Sequence, residues 1–138
     1  MVKTSDFDFF SQEEAEVFDN TVGIRRRHIA PDNMCASDMC QAAAEKLLEE
    51  LGWERDSIDV LLFESVTGDY RTPPTSCILQ DRLALSENCF CMDIPMGCCG
   101  CMYAITVAGN LLTTGNVKRA LLLIGDTALR MGSMKDKS

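Results

Sequence analysis

The chain has 138 residues, of which 46% are hydrophobic and 25% charged, and its formal net charge is −8. This composition excludes a disordered tail, which would lack the apolar residues that offset chain entropy, and the length predicts a single domain over 1–138. The acidic balance excludes nucleic acid as the main ligand, because binding to phosphates needs a basic face.

Two helices are predicted in the first part of the chain. Ser11 can cap the first helix, and Glu14 stands three residues later as its capping-box partner. The second helix carries one apolar stripe at helical spacing. A glycine ends each of the two predicted helices. The predicted limits are Ser11 and Gly23 for the first helix, and Ser37 or Asp38 and Gly52 for the second.

Three short apolar runs, each bounded by polar residues, predict strands over 58–66, 89–94 and 118–124. Helices are predicted between them, over 75–85 and 102–112. This alternation indicates an α/β fold, with a mostly parallel sheet and helices on both faces in a layered αβα arrangement. Functional groups in such sheets collect at the carboxyl ends of the strands, which here are the loop after Val66 and the turn after Ile94.

The turn after Ile94 is where the sequence points most clearly to chemistry. Gly97 and Gly100 leave room for close backbone approach, and Cys98 stands between them at the predicted start of a helix. Unpaired N–H groups and the positive end of the helix dipole stabilise a thiolate there, as in a strand–nucleophile–helix elbow. A tight turn filled with small residues explains the same local pattern equally well.

Eight cysteines are present, and an intracellular setting makes disulfides an unattractive explanation. No apolar run could span a bilayer, and the first residues lack a secretory signal, so we expect a cytoplasmic protein without a membrane partner. Seven cysteines are therefore interpreted as packing residues. The CxC at 89–91 and the CCxC at 98–101 offer poor chelating geometry, so no metal and no cofactor are predicted. A small metal or redox protein remains an alternative.

Other polar residues have both a structural and a functional interpretation. The basic run 25–28 is most simply a solvated turn. Its functional interpretation is a phosphate contact, with Arg25 as the candidate. His28, the only histidine, fits a surface or packing role better than that of a base. Asp126 is expected to cap a helix or to support a site from behind. The loop 68–74 is expected to line a pocket or to contact another subunit.

Several segments in order resemble the N-terminal half of the ketoacyl-acyl-carrier-protein synthase III enzymes, which belong to the thiolase superfamily. The resemblance spans residues 11–137. Each segment is weakly specific, whereas the ordered set is quite specific. The segments are 22–30 (VGIRRRHIA), 37–39 (SDM), 69–80 (DYRTPPTSCILQ), 93–104 (DIPMGCCGCMYA) and 115–126 (GNVKRALLLIGD).

The resemblance implies a thiolase-like half and roles for two residues. Cys98 falls on the catalytic cysteine, which takes an acyl group from acyl-CoA before decarboxylative condensation with malonyl-carrier protein. Lys137 falls where the family often has an arginine near the CoA phosphates. The resemblance also implies a homodimer, and it leaves open whether the acyl donor is CoA or a carrier protein.

The chain also departs from the family pattern. The family's first strand, and the catalytic His and Asn of its second half, have no counterpart in the sequence. Cys99 and Cys101 replace a small residue and an aromatic one beside the nucleophile. We therefore expect a partial domain that is inactive in condensation by itself, with exposed apolar edges and a tendency to self-associate. A non-catalytic partner subunit of a split condensing enzyme is the alternative.

Overall fold

A computed structural model describes residues 1–128. The chain divides into two compact units, one formed by residues 1–33 with the segment that begins at Thr127, and one formed by residues 34–126. Because two compact units can belong to one domain, the single domain expected over 1–138 stays a prediction.

The unit that contains the chain start is built around helix α1 (Gln12–Val22). Ser11 caps it as predicted: the Glu14 N–H donates to Ser11 Oγ at 3.2 Å, and the Ser11 N–H donates to Glu14 Oε2 at 2.9 Å. Gly23 ends the helix in the left-handed conformation, with φ 77°. The predicted first helix is thus confirmed at both ends.

Two very short strands complete this unit. Strand β1 (Val2–Lys3) pairs antiparallel with β2 (Arg26–Arg27). The Arg27 guanidinium lies 5.9 Å from the centroid of the Phe18 ring, within cation–π range. Within residues 1–128, the segment before α1 contributes the two-residue strand β1 and a short 3-10 turn, Thr4–Asp6.

The second unit is built on a parallel three-stranded sheet with the order β4-β3-β5. Its strands are β3 (Val60–Glu64), β4 (Phe90–Ile94) and β5 (Ala120–Ile124). Every residue of β3 is buried, as expected for a central strand covered on both faces. Glu64, the last residue of β3, pairs with Ile94 on one side and Ile124 on the other. The three carboxyl ends therefore lie side by side.

Helices cover both faces of this sheet, as the sequence predicted. They are α2 (Ala36–Leu51), α3 (Thr75–Arg82) and α4 (Gly100–Leu112). Leu61 and Phe63 join the core formed with α2 and α3. Val60 and Leu62, which point to the opposite face, join the core formed with Ala104 of α4. The layered α/β prediction is confirmed.

Some predicted helix limits were wrong. Helix α2 begins after Cys35, not at Ser37 or Asp38. The Asp38 carboxylate instead accepts a hydrogen bond from the Cys35 N–H at 2.7 Å, as the third residue of the helix. Helix α4 begins at Gly100, two residues earlier than predicted, because the turn before it is already helical. Helix α3 ends at Arg82, since the backbone leaves the right-handed region at Ala84, with φ 50°.

The outer face of α4 is apolar and open to solvent. Met102, Tyr103 and Ile105 are each at least half exposed. This confirms the expected exposed apolar surface, while self-association stays a prediction.

Among the described residues, no helix is long and apolar enough to span a membrane.

Candidate active site

Cys98 lies on the short connection between the carboxyl end of β4 and the start of α4. A single 3-10 turn, Gly97–Cys99, makes this connection, and Gly97 takes a positive φ of 62° that an L side chain rarely adopts. The Cys98 side chain is exposed. The predicted strand–turn–helix arrangement around this cysteine is therefore present.

The start of α4 offers hydrogen-bond donors near Cys98. No side chain caps the helix at Cys99, and the first N–H of α4, that of Gly100, donates to the Gly97 carbonyl oxygen of the preceding turn. The next N–H groups of a first turn have no acceptor within their own helix. Thirteen aligned peptide units also place a partial positive charge at this end. Such a setting can hold a developing oxyanion.

Glu64 lies beneath this turn with only 2% of its surface exposed. Its Oε1 atom is buried without a hydrogen-bond partner in the described residues. Burial and the nearby charge of Asp126 raise the pKa of the Glu64 carboxyl, while a hydrogen bond from the Gly97 N–H acts in the opposite direction. A Cβ built on Gly100 would fall 2.2 Å from Oε1, so the start of α4 rests directly on this side chain.

Asp126 follows β5 and holds the loop that follows β3. Its Oδ1 accepts hydrogen bonds from the Ser65 hydroxyl and the Val66 N–H, both at 2.8 Å, and from the Thr67 N–H and hydroxyl at 3.1 and 3.0 Å. Burial opposes ionisation of Asp126, but these hydrogen bonds outweigh it and lower the pKa of the carboxyl. The residue thus positions the loop after Val66.

Asp93, near the end of β4, holds the start of α3 by hydrogen bonds. Its two carboxylate oxygens accept hydrogen bonds from the N–H groups of Thr75 and Ser76, at 2.8 and 2.7 Å. These N–H groups open α3 and have no acceptor within the helix. A charged carboxylate from the neighbouring strand therefore anchors the helix start.

A cleft of about 800 Å³ opens at the carboxyl ends of β3 and β4. The loop 68–74 forms part of its wall through Asp69, Tyr70 and Arg71, as one of the two interpretations of that loop predicted. Asp93 and Pro95 form the wall nearest in sequence to the Cys98 turn. The cleft offers space for a small organic group next to Pro95, but Cys98 is not among the residues that line it.

The eight cysteines are all free, and their burial differs from the prediction. Cys40 and Cys89 are buried, and burial with two nearby carboxylates raises the pKa of Cys40 to about 11. Cys91 is half-buried, and burial raises its pKa to about 12. Cys77 and Cys99 are exposed, so their interpretation as packing residues was wrong, because they lie on an outward helix face and in a turn. Residues 1–128 contain no group of three or more His, Cys, Asp or Glu side chains that could hold a metal.

Of the two predicted substrate-binding residues, Arg25 and Lys137, the structure describes only Arg25. Arg25 is exposed just before β2, in the unit formed by the chain start. His28 is also exposed, in agreement with a surface role. Lys137 lies outside the described residues. A contact of Arg25 or Lys137 with a phosphate stays a prediction.

Sequence reasoning overlooked Glu64 and the anchoring role of Asp93. The signal for Glu64 was present, since it is the one ionisable residue within the apolar run 60–66. The structure shows that this acidic side chain is buried. Asp126 was expected to cap a helix or to support a site from behind, and its hydrogen bonds to the loop after β3 agree with the second interpretation.

Comparison with known proteins links this site to one family. A sequence model described as 3-Oxoacyl-[acyl-carrier-protein (ACP)] synthase III matches residues 92–138, which include the Cys98 turn. A beta-ketoacyl-[acyl-carrier-protein] synthase III from Xanthomonas oryzae pv. oryzae is 35% identical over 122 residues, which are 88% of this chain and 37% of that protein. The chain thus spans a little over a third of the length of the curated relatives it matches.

Solved structures agree in fold. A 3-oxoacyl-(acyl-carrier protein) synthase from Burkholderia xenovorans LB400 superimposes with a TM-score of 0.88 at 40% identity, over 98% of this chain and 39% of that one. The 3-oxoacyl-[acyl-carrier-protein] synthase III from Aquifex aeolicus VF5 gives a TM-score of 0.85 at 23% identity, over 99% and 44%. The predicted thiolase-like fold is confirmed, and the extent of the matches is consistent with an N-terminal portion of such a protein.

Proposed function

Because this chain is a homologue of the 3-oxoacyl-[acyl-carrier-protein] synthase III family over most of its length, we propose that it is the part of such an enzyme that carries the nucleophilic cysteine, Cys98. The observation that carries the proposal is the position of an exposed thiol on the β4–α4 connection, inside the segment that the family model matches. The exposed Cys77 lies on α3, outside this connection and outside the matched segment. Cys99 shares the turn and the segment, but its thiol donates to the Met96 carbonyl oxygen, and the resemblance places the nucleophile at Cys98.

The first reaction step follows from the position of Cys98. Its thiolate attacks the carbonyl carbon of an acyl thioester, the carbonyl oxygen takes the negative charge, and the CoA or carrier thiolate leaves as the Cys98 thioester forms. The proposed donors for the oxyanion are backbone N–H groups at the start of α4 other than that of Gly100, which donates to the Gly97 carbonyl oxygen. The cleft beside Asp93 and Pro95 is the space available for the acyl group.

The second step is condensation with malonyl-carrier protein, in which CO₂ is lost and the new carbon–carbon bond releases Cys98. The resemblance to the synthase III enzymes implies that this step needs a His and an Asn, which activate decarboxylation. His28, the only histidine of the 138 residues, does not fall on that position. We therefore propose that this chain by itself accepts an acyl group and does not condense it.

We further propose the substrates, the oligomeric state and the cellular location of the protein. The substrates are acyl-CoA or acyl-carrier protein together with malonyl-carrier protein, and no cofactor takes part. Arg25 and Lys137 are the proposed contacts to the CoA phosphates. The protein is proposed to act as a homodimer in the cytoplasm, in fatty acid or related acyl-chain biosynthesis.

Acylation of the intact chain tests the proposal directly. The chain is incubated with acetyl-CoA, digested, and the adduct is mapped by mass spectrometry. We expect the acetyl group on Cys98, no acylation in Cys98→Ser, and unchanged acylation in Cys77→Ser, which removes another exposed thiol. Acylation that is spread over the exposed cysteines, or no acylation of a folded chain, would contradict the proposed role and favour a non-catalytic partner subunit.

A further inference from the structure

Three thiols stand within four residues at the start of α4, and the proposed acyl transfer uses only one of them. Cys98 and Cys99 are exposed and Cys101 is half-buried, and all three are free. The sequence Cys98-Cys99-Gly100-Cys101 contains the spacing Cys-x-x-Cys, in which two thiols are separated by two residues. In this spacing, a thiol at the start of a helix can react with the thiol three positions later in the chain.

The backbone brings Cys98 and Cys101 to one face. The 3-10 turn over Gly97–Cys99 runs without interruption into α4, and Cys99 and Gly100 both have right-handed helical angles. Side chains three residues apart eclipse each other in a 3-10 turn and are neighbours on an α-helix, about 5–6 Å apart at Cβ. Bonded cysteines have Cβ atoms about 3.5–4.5 Å apart, so a movement of roughly 1 Å closes the pair.

Cys99 faces elsewhere. Its Sγ lies 3.4 Å from the Met96 carbonyl oxygen, to which the thiol donates a hydrogen bond. This contact turns the side chain back toward the residue that precedes the turn. A bond between the adjacent Cys98 and Cys99 would have to break this contact. The neighbour available to Cys98 is therefore Cys101.

We propose that Cys98 and Cys101 form a reversible disulfide when a peroxide oxidises Cys98. The Cys98 thiolate attacks one oxygen of hydrogen peroxide, which breaks the O–O bond, gives a sulfenic acid and releases hydroxide. The Cys101 thiolate then attacks the Cys98 sulfur, the S–S bond forms, and the sulfenic oxygen leaves as water after protonation. A dithiol restores both thiols by exchange and is itself oxidised to its disulfide.

The disulfide has a consequence for acyl transfer. With its sulfur bonded to Cys101, Cys98 cannot attack a thioester, and it is also protected from irreversible oxidation to the sulfinic acid. This consequence rests on the proposed function, whereas the disulfide itself rests only on the three thiols and the backbone that holds them.

The experiment compares the 138-residue chain with Cys101→Ser and Cys99→Ser. Each protein is treated with hydrogen peroxide, its free thiols are blocked with N-ethylmaleimide, and its peptides are sequenced by mass spectrometry. We expect a Cys98–Cys101 link in the unaltered chain and in Cys99→Ser, and full recovery of both thiols after dithiothreitol. In Cys101→Ser we expect no link and accumulation of the Cys98 sulfinic acid. Cys77, exposed on α3, should remain a free thiol throughout and serves as the internal control.

Other results overturn the inference. A Cys98–Cys99 link, loss of the link in a folded Cys99→Ser protein, or equal sulfinic acid formation in the unaltered chain and Cys101→Ser would each do so. Acetyl-CoA added to the reduced and oxidised chains separates this inference from the proposed function. If the disulfide forms but Cys98 is never acylated, the disulfide proposal stands and the proposed enzymatic function fails. If Cys98 is acylated but the disulfide does not form, the proposed function stands and the disulfide proposal fails.

Discussion

The Glu64 carboxyl and the Gly100 backbone are packed so closely that no side chain fits between them. A Cβ on Gly100 would lie 2.2 Å from Glu64 Oε1 and 2.4 Å from its Cδ and Cγ atoms. Glu64 is the last residue of the central strand, and Gly100 is the first of the helix that follows the Cys98 turn. The height of that turn above the sheet is therefore set by the absence of a side chain at Gly100.

Substitution of Gly100 by alanine is expected to destabilise the protein. The added methyl group must displace a buried Glu64 side chain, and overpacking of this kind costs about 1–3 kcal/mol. Gly109→Ala in the same helix is the matched control, because a Cβ there meets nothing within 4 Å. That change should stabilise the helix by about 0.5–1 kcal/mol. Urea denaturation of both variants measures the difference.

A double variant identifies Glu64 as the cause. In Glu64→Ala the obstructing atoms are gone, so the additional cost of Gly100→Ala should be much smaller in that background than in the unaltered chain. Equal costs in the two backgrounds would mean that Gly100 is required for another reason.

Glu64 should also make stability depend on pH. Its pKa is raised in the folded chain by burial and by Asp126, so the folded state holds this proton more tightly than the unfolded state. The stabilisation is therefore complete below the ordinary glutamate pKa and is lost as the pH rises through the higher folded pKa. Glu64→Gln keeps the shape and removes the titration.

The measurement is the free energy of unfolding of the unaltered chain and of Glu64→Gln between acid and neutral pH. We expect the advantage of the variant to grow as the pH rises. Glu49→Gln on the exposed face of α2 controls for the loss of one negative charge. A difference between Glu64→Gln and the unaltered chain that stays constant with pH would show that Glu64 does not titrate in this range.

The sequence predicted those features that local patterns determine. The Ser11–Glu14 capping box, the alternation of strands and helices, and the position of Cys98 after a strand all depend on residues close together in the chain. The start of α2 was misplaced because cysteine is not a typical capping residue, and Cys35 therefore gave no signal.

Contacts between distant residues could not be predicted in the same way. Glu64 meets Gly100, and Asp126 meets Ser65, only because parallel strands place their carboxyl ends together. Periodicity reports which face of an element is apolar, but it does not report which polar side chain at one strand end reaches the next. The candidate nucleophile was thus predictable, whereas the residues that support its turn were not.

Asp93→Ala is expected to loosen the start of α3. Two N–H groups lose their charged acceptor, and the loss of a helix-capping contact costs about 0.5–2 kcal/mol. Hydrogen exchange at Thr75 and Ser76 should accelerate more than exchange at Leu79 in the body of the helix. Asp81→Ala removes an exposed carboxylate from the same helix and should leave the exchange of both amides unchanged.

Asp126→Asn tests the anchor of the loop that follows β3. The amide retains one oxygen but loses the charge that the hydroxyl and N–H donors of Ser65, Val66 and Thr67 stabilise. Because Asp126 is itself exposed, screening by solvent limits the expected loss at neutral pH to about 1 kcal/mol.

The pH dependence of the Asp126 variant has the opposite sign to that of Glu64. The pKa of Asp126 is lowered in the folded chain, so its stabilisation is present above the ordinary aspartate pKa and is lost as the pH falls through the lower folded pKa. The unaltered chain and Asp126→Asn should therefore converge in stability toward acid pH and separate toward neutral pH. Denaturation of both proteins across this range measures the effect, with Asp56→Asn as the exposed control. Convergence toward neutral pH instead would show that the Asp126 hydrogen bonds do not favour its ionised form.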